Sequence, residues 1–471
     1  MKSSRVLDIF KEITAIPRES GHEESFTAWL MDWAQRHSLP AKRDAIGNVL
    51  ITREAAPGKE DIRTVVLQAH QDMVCEKKAG CTVDFSKDPI PFVIEDGWMI
   101  AKDTTLGADD GIGIAACLAL LEDDRPTGKL ECLFTISEET GMYGAEALQS
   151  GFFEGSTLIN LDSEDEGQLF IGCAGGLNTN ITFDITRAPL KEGFSCVMLS
   201  ICDCTGGHSG DDINKERVNA VQQMARFLYS VFPDGLQLHS ICGGGKHNAI
   251  ARECDALVSV ADPEALGAAF SAFGAQLSEE FHVTDPDVKC IFKYVQASLE
   301  PLSDEDSRRI ISSLFTCPHG VQAMSQDIPG LVQTSTNLAS VRMGEDNTVT
   351  VGTSQRSSSK GERRAIAAKV KANFEMAGAV VKHQFEYPGW NPDVNSRILA
   401  ECVESYRRLF NTEPEVKAIH AGLECGLFLE KFPGLDMISF GPTLRGVHAP
   451  GEKLDLASMD KFVLLLDDVI C

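Results

Sequence analysis

The chain has 471 residues, with 43 Lys and Arg against 69 Asp and Glu, a formal net charge of −26. That balance argues against nucleic acid, whose binding is led by Lys and Arg contacts to phosphate, and against an anionic membrane surface. It leaves a cationic site open, because carboxylates are ligands for divalent metal ions. Length points to two or three domains, and a chain this long buries a large core without disulfide staples. The 15 cysteines are odd in number, scattered and without a CxxC pair, which reads as reduced cytosolic thiols. Met1 to Ile13 has no apolar h-region, so no signal peptide is expected. The longest apolar run, Ile112 to Leu121, is about half of the roughly 20 residues a bilayer requires. A soluble, cytoplasmic protein is the expectation.

In chain order, Val6 to Arg36 reads as two helices around a break at Ile16-Pro17-Arg18-Glu19-Ser20-Gly21. Ile46 to Thr52 and Thr64 to Ala69 read as strands, Leu106 to Leu121 as a helix opened by glycine and acids, and Lys129 to Ser137 and Ser156 to Leu161 as strands. Strands alternating with helices predict an α/β domain with a largely parallel central sheet. After Cys173-Ala174-Gly175-Gly176 the texture changes: Asn178 to Ile185 alternates polar and apolar, as a strand with one wet face does. An α+β region with antiparallel sheets is expected from there to about Glu386. The breaker-rich Tyr387-Pro388-Gly389-Trp390-Asn391-Pro392 marks the expected way back, followed by a helix from Ser396 to Phe410.

Several of these elements end in groups that can do chemistry. A buried strand runs out into His70-Gln71-Asp72, where i and i+2 share a face, and open α/β sheets place ligands at such ends. Asp109 and Asp110 lie between glycines at a helix start, where acids also serve simply as dipole caps. The strand from Lys129 ends in Glu138-Glu139, a pair able to divide the work of metal ligand and general base. The strand from Ser156 ends in Asp162, and His448 stands in a glycine/proline loop. Each signal alone is as well explained by a cap or a solvated loop. Together they place three strand ends and a helix start on one side of a parallel sheet, where close carboxylates repel unless divalent cations compensate them. A nucleotide site at Gly107 to Gly113 is disfavoured, since no full GxGxxG is present and the paired acids would repel a pyrophosphate.

The order of these motifs resembles the M20-type dinuclear zinc peptidases over nearly the whole chain. The matching segments are Ile16-Pro17-Arg18-x-Ser20-Gly21-His22-Glu23-Glu24, His70-x-Asp72-Met73-Val74, Thr105 to Asp109, Glu138-Glu139-x-Gly141-Met142, Asn160 to Glu164 and Ile171 to Gly176. Further on they are Gly206-Gly207-His208-Ser209-Gly210, Asn248-Ala249-Ile250, Ala418 to Leu427 and Gly441-Pro442-Thr443. The resemblance implies a phosphorylase/hydrolase-like α/β catalytic domain at residues 1–175 and 388–471, with an inserted α+β lid and dimerisation domain at 176–387. It implies two divalent ions, zinc first, with cobalt or manganese also fitting such ligands. His70, Asp109 and Asp162 would hold one ion, and Asp109, Glu139 and His448 the other. Asp72 would orient His70, and Glu138 would be the general base. His208 would meet the oxyanion, and Arg356 would hold the substrate carboxylate, with Arg342 and Arg217 as alternatives. The implied activity is hydrolysis of small unblocked dipeptides, Xaa-His among them, by a homodimer. Alternatives are another small amide (a tripeptide or an N-acyl amino acid) or a non-catalytic peptide- or metal-binding relative. Two positions depart from the family pattern. Asp110 stands where Asn is usual, adding a charge beside the metals, and Ala251 stands where proline is common.

Overall fold

The computed structural model describes residues 1–296, 299–344 and 346–470. The chain divides into two compact units: Met1–Gly172, Trp390–Ala418 and Leu423–Cys471 form the first, and Cys173–Gly389 with Ile419–Gly422 the second. The return to the first unit at Trp390 falls inside the proline/glycine run. The four residues Ile419–Gly422 were not expected in the second unit, and local bonds explain them. Ala174 N–H donates to the carbonyls of Ile419 (3.1 Å) and Ala421 (3.0 Å), and His420 Nε2 lies 2.7 Å from Ser335 Oγ.

The first unit is built on an eight-stranded sheet in the order Ala41–Arg43, Val49–Arg53, Leu130–Thr135, Val65–His70, Thr157–Asn160, Asp436–Ser439, Gln168–Cys173, Glu415–Ile419. The expected largely parallel sheet is in fact mixed. Its four central strands, Leu130–Thr135 to Asp436–Ser439, are parallel, and the strands beside them, Val49–Arg53 and Gln168–Cys173, join antiparallel. At the edge Ala41–Arg43 and Val49–Arg53 also pair antiparallel, because a tight turn joins them whereas a parallel pair needs a crossover of about a dozen residues. That turn also shortens the strand expected from Ile46. Asp44 Oδ1 accepts the N–H groups of Ile46, Gly47 and Asn48 at 3.1, 2.8 and 2.9 Å, so the ladder starts only at Val49.

The helix Ala108–Leu121 is buried along its whole length. It packs between the helix Ser3–Ile13 and the strand Val65–His70, which is why its sequence beyond Asp110 is apolar all round rather than striped. Ser3–Ile13 in contrast buries only Val6, Ile9, Phe10 and Ile13, spaced at three and four residues. Ser396 caps the helix Arg397–Phe410 by accepting from Leu399 N–H at 3.1 Å.

The second unit carries a nine-stranded sheet whose pairings are antiparallel. Its strand Gly175–Asp184 alternates buried and half-buried from Leu177 to Phe183, the pattern its residues dictate. The inward positions Ile181 and Phe183 join a core with Val197, Leu199, Leu228, Phe270 and Phe374. Among the described residues no helix is long and apolar enough to cross a membrane.

Candidate metal centre

The parallel central strands bring their carboxyl ends to one side, and the acids and histidines follow directly from those ends. His70 is the last residue of its strand, Glu138 and Glu139 follow the end of Leu130–Thr135, and Asp162 follows Thr157–Asn160. Asp109 joins them from the first turn of the helix Ala108–Leu121. Its own backbone is extended (φ −80°, ψ 111°), so the regular helix begins beyond it.

Asp109 faces both histidines. Its Oδ1 lies 2.9 Å from His70 Nε2 and its Oδ2 3.1 Å from His448 Nε2. Asp162 Oδ1 is 3.5 Å from His70 Nε2, and Glu139 Oε1 is 2.9 Å from His448 Nε2. The ligand atoms of His70, Asp109 and Asp162 lie within 4.8 Å of one another, as do those of Asp109, Glu139 and His448. His70, Glu138 and Glu139 form a third such group. Asp109 is shared by the first two groups, with one oxygen turned to each histidine, which is how a bridging carboxylate is used.

The tautomer of His70 follows from its other nitrogen. Nδ1 lies 3.1 Å from the Asp72 carbonyl, which can only accept, so Nδ1 carries a proton; burial acts downward on the imidazole, but Asp162, Asp109 and Asp72 outweigh it and hold it well above its usual range, and Nε2 is the nitrogen that would give up its proton to a metal. Asp72 was expected to orient His70 with its carboxylate. That contact is the longer one, 3.5 Å from Nδ1 to Oδ1. The carboxylate instead accepts the N–H groups of Glu138 (3.0 Å) and Glu139 (3.2 Å) and the Ser20 hydroxyl (2.8 Å). Asp72 thus fixes the turn that carries Glu138 and Glu139 as well as the ring of His70.

The electrostatics fit a missing positive charge. Burial pushes the Asp162 carboxyl well above its usual range, with the charge of Asp109 adding to it. Glu138 is likewise pushed well above, first by burial and then by Glu424, Glu139 and Asp109, with His70 opposing. For Asp109 burial acts upward, but hydrogen bonds from His448 and His70 outweigh it and hold the carboxyl low. His448 is pushed up to about 10 by its bonds to Asp109 and Glu139. Asp110 was expected to add charge beside the metals. Burial pushes its carboxyl well above the ordinary value, Oδ2 has no partner among the described residues, and the neutral form is favoured. Imidazole nitrogens and carboxylates are the donors that suit zinc, cobalt or manganese.

A proton count follows. Metal binding requires His448, His70 and Asp162, all held above their ordinary pKa values, to be deprotonated, so binding releases protons and affinity weakens as pH falls. Calorimetry in two buffers of different ionisation enthalpy, near neutral pH, reads the release directly. Equal heats in both buffers would contradict it.

Glu424 lies in the segment Ala418 to Leu427 that forms part of the family resemblance. It is fully buried at the start of the helix Glu424–Lys431. Its Oε2 accepts from Gln68 Nε2 (2.6 Å) and Thr135 Oγ1 (2.9 Å), and burial pushes it up to about 7.

His208 and Arg356 belong to the second unit. His208 Nδ1 lies 3.1 Å from Asp211 Oδ2, and that bond, with help from the charge of Arg356, holds Asp211 low. Arg356 is 7% exposed, donates to Tyr387 Oη at 3.1 Å, and leaves Nε without a partner among the described residues. The two alternatives are committed elsewhere. Arg342 donates to the carbonyls of Gly243 (2.7 Å), Gly244 and Val341, and Arg217 to the carbonyl of Gly206 and the Asp212 carboxylate. Of the three, Arg356 is the one with a buried donor, Nε, that has no partner among the described residues.

Known proteins resemble this chain in sequence and fold. Residues 66–471 match the model of peptidase family M20/M25/M40. The chain is 37% identical to the cytosol non-specific dipeptidase of Escherichia coli (strain K12) over 467 residues, covering 98% of this chain and 96% of that protein. The crystal structure of aminoacylhistidine dipeptidase from Vibrio alginolyticus superposes with a TM-score of 0.93 at 38% identity, over 99% of this chain and 97% of that one. An aminopeptidase from Bacillus cereus shares the fold at a TM-score of 0.59 and 16% identity, over 100% and 98% of the two chains. On the extent of these matches, the chain belongs to peptidase family M20/M25/M40.

Proposed function

We propose that the chain is a metal-dependent dipeptidase that hydrolyses unblocked dipeptides, Xaa-His among them. The observation that carries the reading is the convergence of His70, Asp109, Glu139, Asp162 and His448, from separate segments of one unit, around a shared Asp109. The two dipeptidase relatives support the substrate class, each matching nearly the whole chain.

His70, Asp109 and Asp162 would hold one divalent ion, and Asp109, Glu139 and His448 a second, with zinc the first choice for both. Bound there, the ions supply Lewis acidity toward the scissile carbonyl and lower the pKa of water toward neutrality. Glu138 takes a proton from the attacking water at its carboxylate and returns it to the leaving amine. Its buried, acid-flanked setting raises its affinity for that proton. Asp72 keeps Glu138 and Glu139 in register through their N–H groups. In the second unit, read as the lid and dimerisation domain, His208 donates to the developing oxyanion and Arg356 holds the substrate's free carboxylate. A homodimer in the cytoplasm completes the proposal.

A clamp on a free carboxylate makes a measurable claim. Hydrogen bonds to charged groups contribute about 1.5–3 kcal/mol. Arg356→Ala is therefore expected to raise KM for free dipeptides by about 10–10²-fold, with little change for C-terminally amidated ones. An equal effect on both would show that Arg356 does not read the carboxylate. The substrate class is tested with a panel of dipeptides (β-alanyl-histidine included), tripeptides and N-acyl amino acids. Preferential cleavage of tripeptides or N-acyl amino acids would replace the dipeptidase reading.

A further inference from the structure

Two side chains outside the ligand set fasten the ligand-bearing loops to one another. Glu452, four residues beyond His448, is 2% exposed. It accepts the N–H groups of Leu106 (2.8 Å), Gly107 (3.1 Å) and Ala108 (2.8 Å), the three residues before Asp109. Backbone bonds run beside it, from Gly451 N–H to the Thr104 carbonyl and from Ala101 N–H to the Glu452 carbonyl, both at 2.9 Å. Arg18, also 2% exposed, works from the other side. It donates to the Gly107 carbonyl through Nη2, and to the carbonyls of Gln71 (3.0 Å) and Asp72 (2.8 Å) through Nη1. Gln71 and Asp72 directly follow His70.

Gly107 is therefore gripped twice, its N–H by Glu452 and its C=O by Arg18. Only glycine fits there. Its φ is +68°, and a Cβ would meet Arg18 Nη2 at 2.6 Å and Met73 Sδ at 2.7 Å. Gly111 gives Arg18 the same room, since a Cβ there would also lie 2.6 Å from Nη2. The hydrogen bonds of both charged groups go to backbone dipoles. Buried charges are costly to keep, and removing either would leave three backbone groups of the ligand-bearing turns unpaired. Their retention fits a task of holding backbone in place.

We infer that Arg18 and Glu452 are positioning residues that set the spacing of His70, Asp109 and His448 for metal. Arg18 ties the His70 strand end to the Asp109 turn, and Glu452 ties the His448 loop to the same turn. The inference rests on the metal reading above. It predicts that Glu452→Gln, which puts an amide N–H₂ against a backbone N–H, disturbs metal binding although volume is kept. Arg18→Lys, which loses the planar fork, is expected to do the same.

The test is a Co²⁺ titration of the metal-stripped full-length protein, followed by calorimetry and visible d–d absorption. It is run at a temperature where circular dichroism shows each variant folded. Glu131→Gln is the control. Glu131 is also 2% exposed and also accepts backbone N–H groups, from Glu154 (2.9 Å) and Gly155 (2.8 Å), but it sits near the opposite end of its strand from the ligands. Altered positioning lowers Co²⁺ affinity by about 10–100-fold in Glu452→Gln and Arg18→Lys, with an altered spectrum, and leaves Glu131→Gln like the parent. Parent-like affinity and spectrum in both variants, or an equal loss in the control, would overturn the inference. A parent protein that itself takes up no Co²⁺ would overturn the metal reading and this inference with it.

Discussion

Replacing Glu138 with alanine is expected to lower kcat by about 10²–10⁴-fold or more while leaving metal uptake in place. The asymmetry between the two effects is the diagnostic. Glu138 belongs with His70 and Glu139 to one group, but the two groups built on Asp109 are complete without it. Its N–H is bonded to Asp72 through the backbone, so the alanine variant keeps that contact and the turn that presents Glu139. The side chain is half-buried, and burial together with the charges of Glu424, Glu139 and Asp109 raises its pKa, strengthening it as a proton acceptor. Steady-state kinetics with metal analysis on the same preparation checks this. Near-full activity in Glu138→Ala would remove Glu138 from the chemistry, and loss of metal would make it a ligand instead of a base.

A second substitution should be more damaging. Asp109→Ala removes a ligand from both groups at once. What remains is His70 with Asp162 on one side and His448 with Glu139 on the other. Activity is expected to fall at least as far as in Glu138→Ala, and metal content to fall with it. Asp162→Ala and His448→Ala each touch one of these two groups, so each should spare the other. Atomic emission on dialysed protein distinguishes these cases. An Asp109→Ala protein that retains its full metal complement would contradict the shared role.

The legible part of this protein lies where local pattern and chemistry coincide. Val65-Val66-Leu67 followed by His70, and Leu133-Phe134 followed by Glu138 and Glu139, show buried strands that stop at functional groups. The order of such motifs along the chain carried the family resemblance. The uniform burial of residues 111–121 was likewise readable from their lack of polar positions. What was not legible depends on contacts between distant residues. Glu452 grips the N–H groups before Asp109 from 344 residues away, and no local pattern distinguishes it from other acids. Arg18 stood in the opening motif, but its grip on three carbonyls appears only once the Gly107 turn is beside it. Periodicity could not separate parallel from antiparallel neighbours, so the mixed sheet was missed. Asp72 was read for its carboxylate and His70, whereas its main bonds are to the backbone of the next strand's turn.

The acidic excess of the composition takes on a different meaning at this site. Most of the 69 acids are solvated surface. At Glu138 and Asp162 burial and the neighbouring carboxylates work against the charge, and two divalent ions would reverse that balance. The central claim, that this cluster is a catalytic metal centre, is tested most directly by measuring metal content and dipeptide hydrolysis on one preparation, before and after chelation. The account predicts bound divalent metal, dipeptide cleavage that disappears on chelation, and recovery on adding zinc, cobalt or manganese. Cleavage that survives complete removal of metal would contradict it.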